Sequence, residues 1–422
     1  MTRGDHSAAL PAPAKPRAII AVTIGNAVEF YDFLIYSLFA IQIGAALFPP
    51  MAAGGNLVAA LGGFGIGFLA RPVGAWVIGR WSDRHGRKPA MVASMLLIGV
   101  ANAGLAFIPD FASIGWEATA LAILCRLLAG FALGGELGSN SAYLAEASPP
   151  DTRALTVSWQ GTSQMLAFLA ASVMGWGLAQ AMTPADFAAY GWRIAVMSGL
   201  VAIPVALWLR AGLEEPPAMA HDHVAADLPD GGRRRLLIGC FVLLATSTII
   251  NYIAGYTATL AQDTLKLSAQ LGFAATAAGY GMGAVAVVAG GWWADRWGRR
   301  PLLLLGGAML AVATWPCYAI ILGWPDGSGL VLGTMLIAIP QNLFVGPLYV
   351  AMTEGMPRAW RGAGFGLLYA VAIGIFGGAT QPLLAWALHR WPDPWLLAWL
   401  MFGLALVQVA AAFAMPETRP RR

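Results

Sequence analysis

Five ionisable residues stand inside apolar runs where a charge is costly. Glu29 and Asp32, in GNAVEFYDFLIYS from Gly25 to Ser37, are three apart and share one face if the segment is helical. At 1.5 Å per residue they lie about 11 and 14 residues into a run that starts near Ala18, close to the middle of a bilayer. Arg126, in RLLAGFALGGE, lies about a dozen residues into a run entering from the opposite side. Depth alone makes it a neighbour of Asp32 and Glu29. Arg71, in FLARPVGA, and Glu136 form a second pair in the inner halves of their segments. Two chemistries suit such groups. They close helix contacts as structural ion pairs, or a carboxylate exchanges a proton when an anion occupies the arginine, since a carboxyl deprived of its cation takes up a proton. On the second reading Asp32 carries the proton, with Glu29 as its modulator and Glu136 as runner-up.

Amides supply the neutral donors. Gln160 and Gln164 are four apart on one helical face, and Asn26 precedes Glu29 by three. Amides here donate to carboxylates or tie helices together. In the second half of the chain Asn251, Tyr252, Tyr256, Gln341 and Asn342 form the polar clusters at comparable depth. Candidate substrate contacts are therefore Asn26, Arg126, Gln160, Gln164, Tyr256 and Asn342. Cys125, Cys240 and Cys317 sit in apolar runs and the five histidines in tails or loops, so no metal site, disulfide or cofactor is implied.

The elements that position these residues follow from composition. Of 422 residues 58% are hydrophobic and only 11% charged, with a mean hydropathy of +0.67. A soluble domain carries about 25% charge, so this chain belongs in a bilayer. Apolar spans begin near Ala18, Leu57, Met91, Trp116, Ala154, Trp192, Leu236, Leu271, Leu302, Leu330, Gly362 and Trp395, which makes twelve. The net charge of +4 comes from Arg and Lys gathered in one set of loops, which points to topology and not to nucleic acid, with both termini cytoplasmic.

The polar stretch from Glu214 to Arg235 divides the chain. Across it GRWSDRHGRKP, at Gly79 to Pro89, recurs as GWWADRWGRRP at Gly291 to Pro301. Glu146, Pro149 and Arg153 recur at nearly the same interval as Glu354, Pro357 and Arg361. The halves are repeats: a tail at 1–17, a six-helix bundle at 18–211, a linker at 212–235, a second bundle at 236–415 and a tail at 416–422. In the loop motif the glycines permit a tight turn, and the aspartate is suited to meet a helix N-terminus or an arginine across the half interface.

With this motif in two copies the chain resembles the major facilitator superfamily over essentially its whole length. The resemblance implies an all-α fold of twelve transmembrane helices in two six-helix repeats, and a cytoplasmic gate latched by Asp83, Arg84, Arg87, Asp295, Arg296 and Arg299. G-N-x-x-E-F-Y-D-F, R-P-x-G-A and G-G-E-x-G are similar to the metabolite:proton symporter branch. YLAEASPP…SWQGTSQ, TWP, TEGMP and IFGGAT resemble the citrate and tricarballylate symporters, although Phe30-Tyr31 and NLFVGPLY depart from their pattern. The implied protein is no enzyme. It is a proton-coupled symporter of a small organic anion, of the di- or tricarboxylate class, acting as a monomer in a bacterial inner membrane. A symporter of a zwitterionic osmolyte such as proline or betaine, or of another monocarboxylate, stays open as the alternative.

Overall fold

The computed structural model describes residues 16–51, 54–85, 87–135, 137–211, 225–226, 228, 231–324, 326–357 and 360–419. Glu136, most of the 212–235 linker and most of the 1–17 tail lie outside the described residues, as do the side chains of Glu29, Asp83, Arg84 and Arg87.

In hydrocarbon no water satisfies the backbone, so each apolar run closes its own hydrogen bonds as a helix. Twelve long helical segments follow one another among the described residues: α1 (Pro16–Leu38), α2 (Gly55–Ile78), α3 (Arg87–Phe107), α4 (Trp116–Ala132), α5 (Arg153–Ala181), α6 (Trp192–Ala211), α7 (Gly232–Gly255), α8 (Ala269–Trp297), α9 (Arg299–Gly323), α10 (Ser328–Glu354), α11 (Arg361–Arg390) and α12 (Trp395–Ala414). Each begins within about a turn of its expected start. Eight of them are long and apolar enough to cross a membrane. Of the others, α1 breaks at Phe39 and runs on as Ala40–Leu47, and α4 continues through a turn at Leu133–Gly135 into Leu137–Glu146.

Two seams join the halves, α5 against α8 and α2 against α11. Close approach needs residues without a side chain. A methyl group on Gly65 of α2 would lie 2.4 Å from the Gly378 carbonyl oxygen of α11. Within the first half, α4 packs on α2 through small residues, where a methyl on Gly130 would lie 1.7 Å from the Gly67 carbonyl oxygen.

Two helices of the second half depart from regular geometry. α10 is interrupted at Phe344, directly after Gln341 and Asn342, and α11 passes through a π-helical turn at Ile373–Gly377. Interrupted helices expose backbone and re-aim side chains near a repeat interface, the arrangement that builds binding sites in membranes.

Candidate functional site

The expected polar residues separate into three groups once the helices are packed. The first is internal to the α1–α6 bundle. Asn26 donates to the Ser163 hydroxyl at 2.8 Å and to the Gln160 carbonyl at 3.3 Å, and Gln160 Oε1 accepts from Ser141 at 2.6 Å. These bonds tie α1 to α5 and α5 to the continuation of α4. Asn26 and Gln160 do not line the cavity described below.

Arg126 is 2% exposed. Its guanidinium carbon lies 4.6 Å from the Tyr36 ring centroid and 5.6 and 5.8 Å from those of Phe33 and Phe64. No carboxylate among the described residues comes within ion-pair distance of it. Arg71 stacks on the same Phe33 ring at 4.8 Å and on Phe68 at 4.6 Å. The rings fix both cations in place. Asp32 is an electrostatic neighbour of Arg126 and Asn102, but neither of its oxygens has a hydrogen-bond partner among the described residues. Its Oδ1 packs so tightly on α6 that a methyl on Gly199 would lie 1.7 Å away.

The second group lines a cavity of about 60 Å³ between the halves, room for about two water molecules. α1 and α5 contribute Phe30, Gln164 and Phe168, and α7, α10 and α11 contribute Asn251, Tyr252, Gln341, Asn342, Tyr349 and Tyr369. Gln164 Oε1 accepts from the Tyr349 hydroxyl at 3.3 Å, across the seam, while its Nε2 has no partner among the described residues. Asn342 Nδ2 donates to the Ala338 carbonyl at 3.0 Å. An unpaired buried donor is costly, so this wall is suited to an acceptor ligand. Tyr256 is fully buried in the outer part of the second bundle and does not line this cavity. Tyr349 and Tyr369 were not among the expected contacts. Their signal was a tyrosine deep in an apolar run.

The third group closes the seams at the end that carries the repeated loop motif. Asp295 accepts from the backbone N–H groups of Ala154 and Leu155, each at 2.9 Å, so the aspartate of α8 caps the first turn of α5 in the other half. Arg299 lies 3.5 Å from Asp295 and donates to Glu354 through Nη2 at 2.9 Å and Nε at 3.2 Å. Glu354 also meets Arg153 at 3.3 Å and accepts from Thr418 at 2.6 Å. Arg296 stands apart, stacked at 3.4 Å on Trp292 at the surface. Towards the opposite ends, Ser37 donates to Gln381 at 2.6 Å and Gln42 to Gln262 at 3.2 Å.

A cavity between two repeats, lined by residues of both, is the geometry of a solute carrier. The family profile of the Major Facilitator Superfamily matches residues 22–379. A citrate-proton symporter of Salmonella typhi is 32% identical over 92% of both chains. A proline/betaine transporter of Escherichia coli K12 is 28% identical over 96% of this chain and 84% of its own. The solved proton:xylose symporter XylE superposes with a TM-score of 0.76 at 17% identity, over 96% of each chain. The chain belongs to the major facilitator superfamily.

Proposed function

We propose that this transporter carries a small organic anion of the di- or tricarboxylate class together with protons, by alternating access at the cavity between its halves. The observation that carries the reading is the Gln164 Nε2 donor, unpartnered among the described residues and set in a wall of amides and tyrosine hydroxyls drawn from both halves. The citrate-proton symporter relative supports the same substrate class.

At about 60 Å³ the cavity is too small for a tricarboxylate, so admission needs one half to move on the other. The units that move are residues 18–211 and 236–415. Opening to the outside breaks the Ser37–Gln381 and Gln42–Gln262 bonds. Opening to the inside breaks the bonds of Asp295 and Glu354 to α5. Gln164 and Asn342 hold the substrate, and Asp295 and Arg299 latch the inner gate. Arg126 and Asp32, buried side by side in the first bundle, form the proton-coupling pair, with Glu29 beside them in sequence and Arg71 and Glu136 as the second pair.

Protons answer an electrical problem. Each negative charge carried into a cell against 100 mV costs about 2.3 kcal/mol, and each proton carried with it cancels that cost. The protein works as a monomer in a bacterial inner membrane with both termini in the cytoplasm, where the basic loops anchor it. Uptake of labelled citrate and labelled proline into proteoliposomes, with and without an inward proton gradient, tests the reading. Gradient-driven citrate accumulation is the expected result; proline accumulation with no citrate uptake would assign the chain to osmolyte transport instead.

A further inference from the structure

A histidine with no part in the central cavity stands at the end of the α2–α11 seam opposite the repeated loop motif. His389 lies on the last turn of α11, a helix on which α2 and α7 pack. Its Nδ1 is 2.7 Å from the Ala385 carbonyl oxygen. A carbonyl oxygen can only accept, so Nδ1 carries the hydrogen and the neutral ring presents the lone pair of Nε2 on its other side. That lone pair faces an anion. Nε2 lies 3.6 Å from Asp263 Oδ2, and the two side chains are 25% and 23% exposed, so water brings protons to both. Neutral, the pair sets acceptor against acceptor; protonated, it sets a cationic N–H donor against a carboxylate. Histidine is the side chain whose charge changes between pH 5 and 8.

The pair is built into the contact between the halves. The imidazole covers the start of α2 in the first half: a methyl on Gly54 would lie 1.8 Å from Nε2, and the φ of +74° at Gly54 itself favours glycine. Asp263 belongs to the second half, in the π-helical turn Leu260–Thr264 beyond α7. The residue before it, Gln262, accepts from Gln42 at 3.2 Å, the bond assigned above to the gate that opens to the outside. Other charges are few. The first-half segment around the site, 40–70, holds no ionisable residue. Beyond α7 the buried Tyr256 hydroxyl stands in the field of Asp263, and Lys266 is exposed. After His389, Arg390 turns onto the Trp391 ring at 5.7 Å and Asp393 accepts from the Trp395 N–H at 3.0 Å. Among the described residues Asp263 alone comes within ion-pair distance of His389.

We propose that His389 and Asp263 form a proton-binding site that governs this gate. With His389 protonated, the ion pair draws the π-helical turn towards α11, keeps Gln262 within reach of Gln42 and holds the imidazole on Gly54, so the gate stays closed. With His389 neutral the attraction is gone, and the turn has the slack to carry Gln262 away. Closure is therefore favoured at low pH and lost as pH rises through the titration of the imidazole. The site is separate from Asp32, which lies within the first bundle. The inference rests on the alternating-access reading above and adds what sets the balance at one end.

Distances between spin labels on Glu117→Cys in the first half and Asp326→Cys in the second, both exposed, test this in nanodiscs from pH 8 to 5, with the three native cysteines replaced by alanine. With the native pair, the ratio of closed to open is expected to rise about two- to fivefold as pH falls, the worth of one partly exposed ion pair. His389→Asn and Asp263→Asn are each expected to remove that rise. His389→Lys, charged throughout this range, is expected to be as closed at pH 8 as the native pair is at pH 5. The two changes at His389 move the gate in opposite directions, which a mere loss of packing would not do. A rise as steep in His389→Asn as with the native pair overturns the proposal, as does a His389→Lys protein that opens at pH 8. A single distance at every pH, with and without citrate, would remove alternating access at this end and the site with it; two populations whose ratio ignores His389 overturn the site alone.

Discussion

Arg361 and Glu146 meet at 2.8 Å across the interface between the halves, and their repeat counterparts, Arg153 and Glu354, meet across that interface at 3.3 Å. Each repeat offers its glutamate to the other's arginine, so one sequence motif used twice produces a reciprocal clasp. The two clasps are not equal. Glu354 is 1% exposed and also holds Arg299, whereas Glu146 is 28% exposed.

That asymmetry predicts unequal stability effects. Glu354→Gln removes the anion shared by Arg299 and Arg153 and is expected to cost about 3–5 kcal/mol, the usual loss when one partner of a buried pair is removed. Glu146→Gln is expected to cost markedly less, because water reaches its carboxylate. Thermal melting of the two variants in detergent checks the order. Equal melting temperatures would show that the Glu354 cluster is not the tighter clasp.

Asp295→Asn is expected to slow transport while leaving equilibrium substrate binding close to that of the wild type. The side chain caps α5 at its first turn and touches no cavity wall. Asparagine keeps one acceptor oxygen but loses the charge that complements the helix N-terminus. Exchange rate and dissociation constant, measured on the same preparation, separate the two effects. A lost affinity with an intact fold would remove Asp295 from the gate.

Gln164→Ala is expected to weaken binding of a carboxylate substrate about ten- to a hundredfold, through loss of a donor to a charged group. Gln160→Ala is expected to act on stability instead, because its carboxamide serves Ser141 inside the first bundle. Titration and melting of both variants check the division. Matching binding losses would mean that both amides face the substrate.

The pair of glutamines also shows how far a sequence speaks. Twelve spans were legible because a run long enough to cross hydrocarbon has few other uses, and the repeat was legible because the same loop motif stands in both halves. Asp295 does meet a helix N-terminus across the interface, one of two roles its motif allowed. The rotation of each helix was not legible. Gln160 and Gln164 share a face of α5, yet one turn separates a neighbour in α4's continuation from a neighbour in α10, because α5 lies on the seam. Asn26 turned into its own bundle for the same reason, and Tyr256 fell in the outer packing. Sequence does not mark out Tyr349 and Tyr369, because a tyrosine in an apolar run reads equally as interfacial belt; only tertiary packing distinguishes a ring facing lipid from one facing a cavity.

The last prediction concerns the proton. Asp32 is 7% exposed, has no hydrogen-bond donor on either oxygen among the described residues, and stands in the field of Arg126. A buried carboxylate without donors pays heavily for its charge, and the Arg126 guanidinium, stacked among rings, is the cation beside it. Asp32→Asn copies the protonated form in shape and removes the site of exchange. The variant is expected to bind substrate and to exchange it across the membrane, since both conformations stay accessible to the neutral form, and to lose accumulation driven by a pH gradient. Counterflow and gradient-driven uptake in proteoliposomes of the same batch separate the two. Retained gradient-driven uptake would move the coupled proton to Glu29 or Glu136, and the neutral variants of those two residues would then be measured in the same way. If all three retained it, the coupling ion would not be a proton held by these carboxylates.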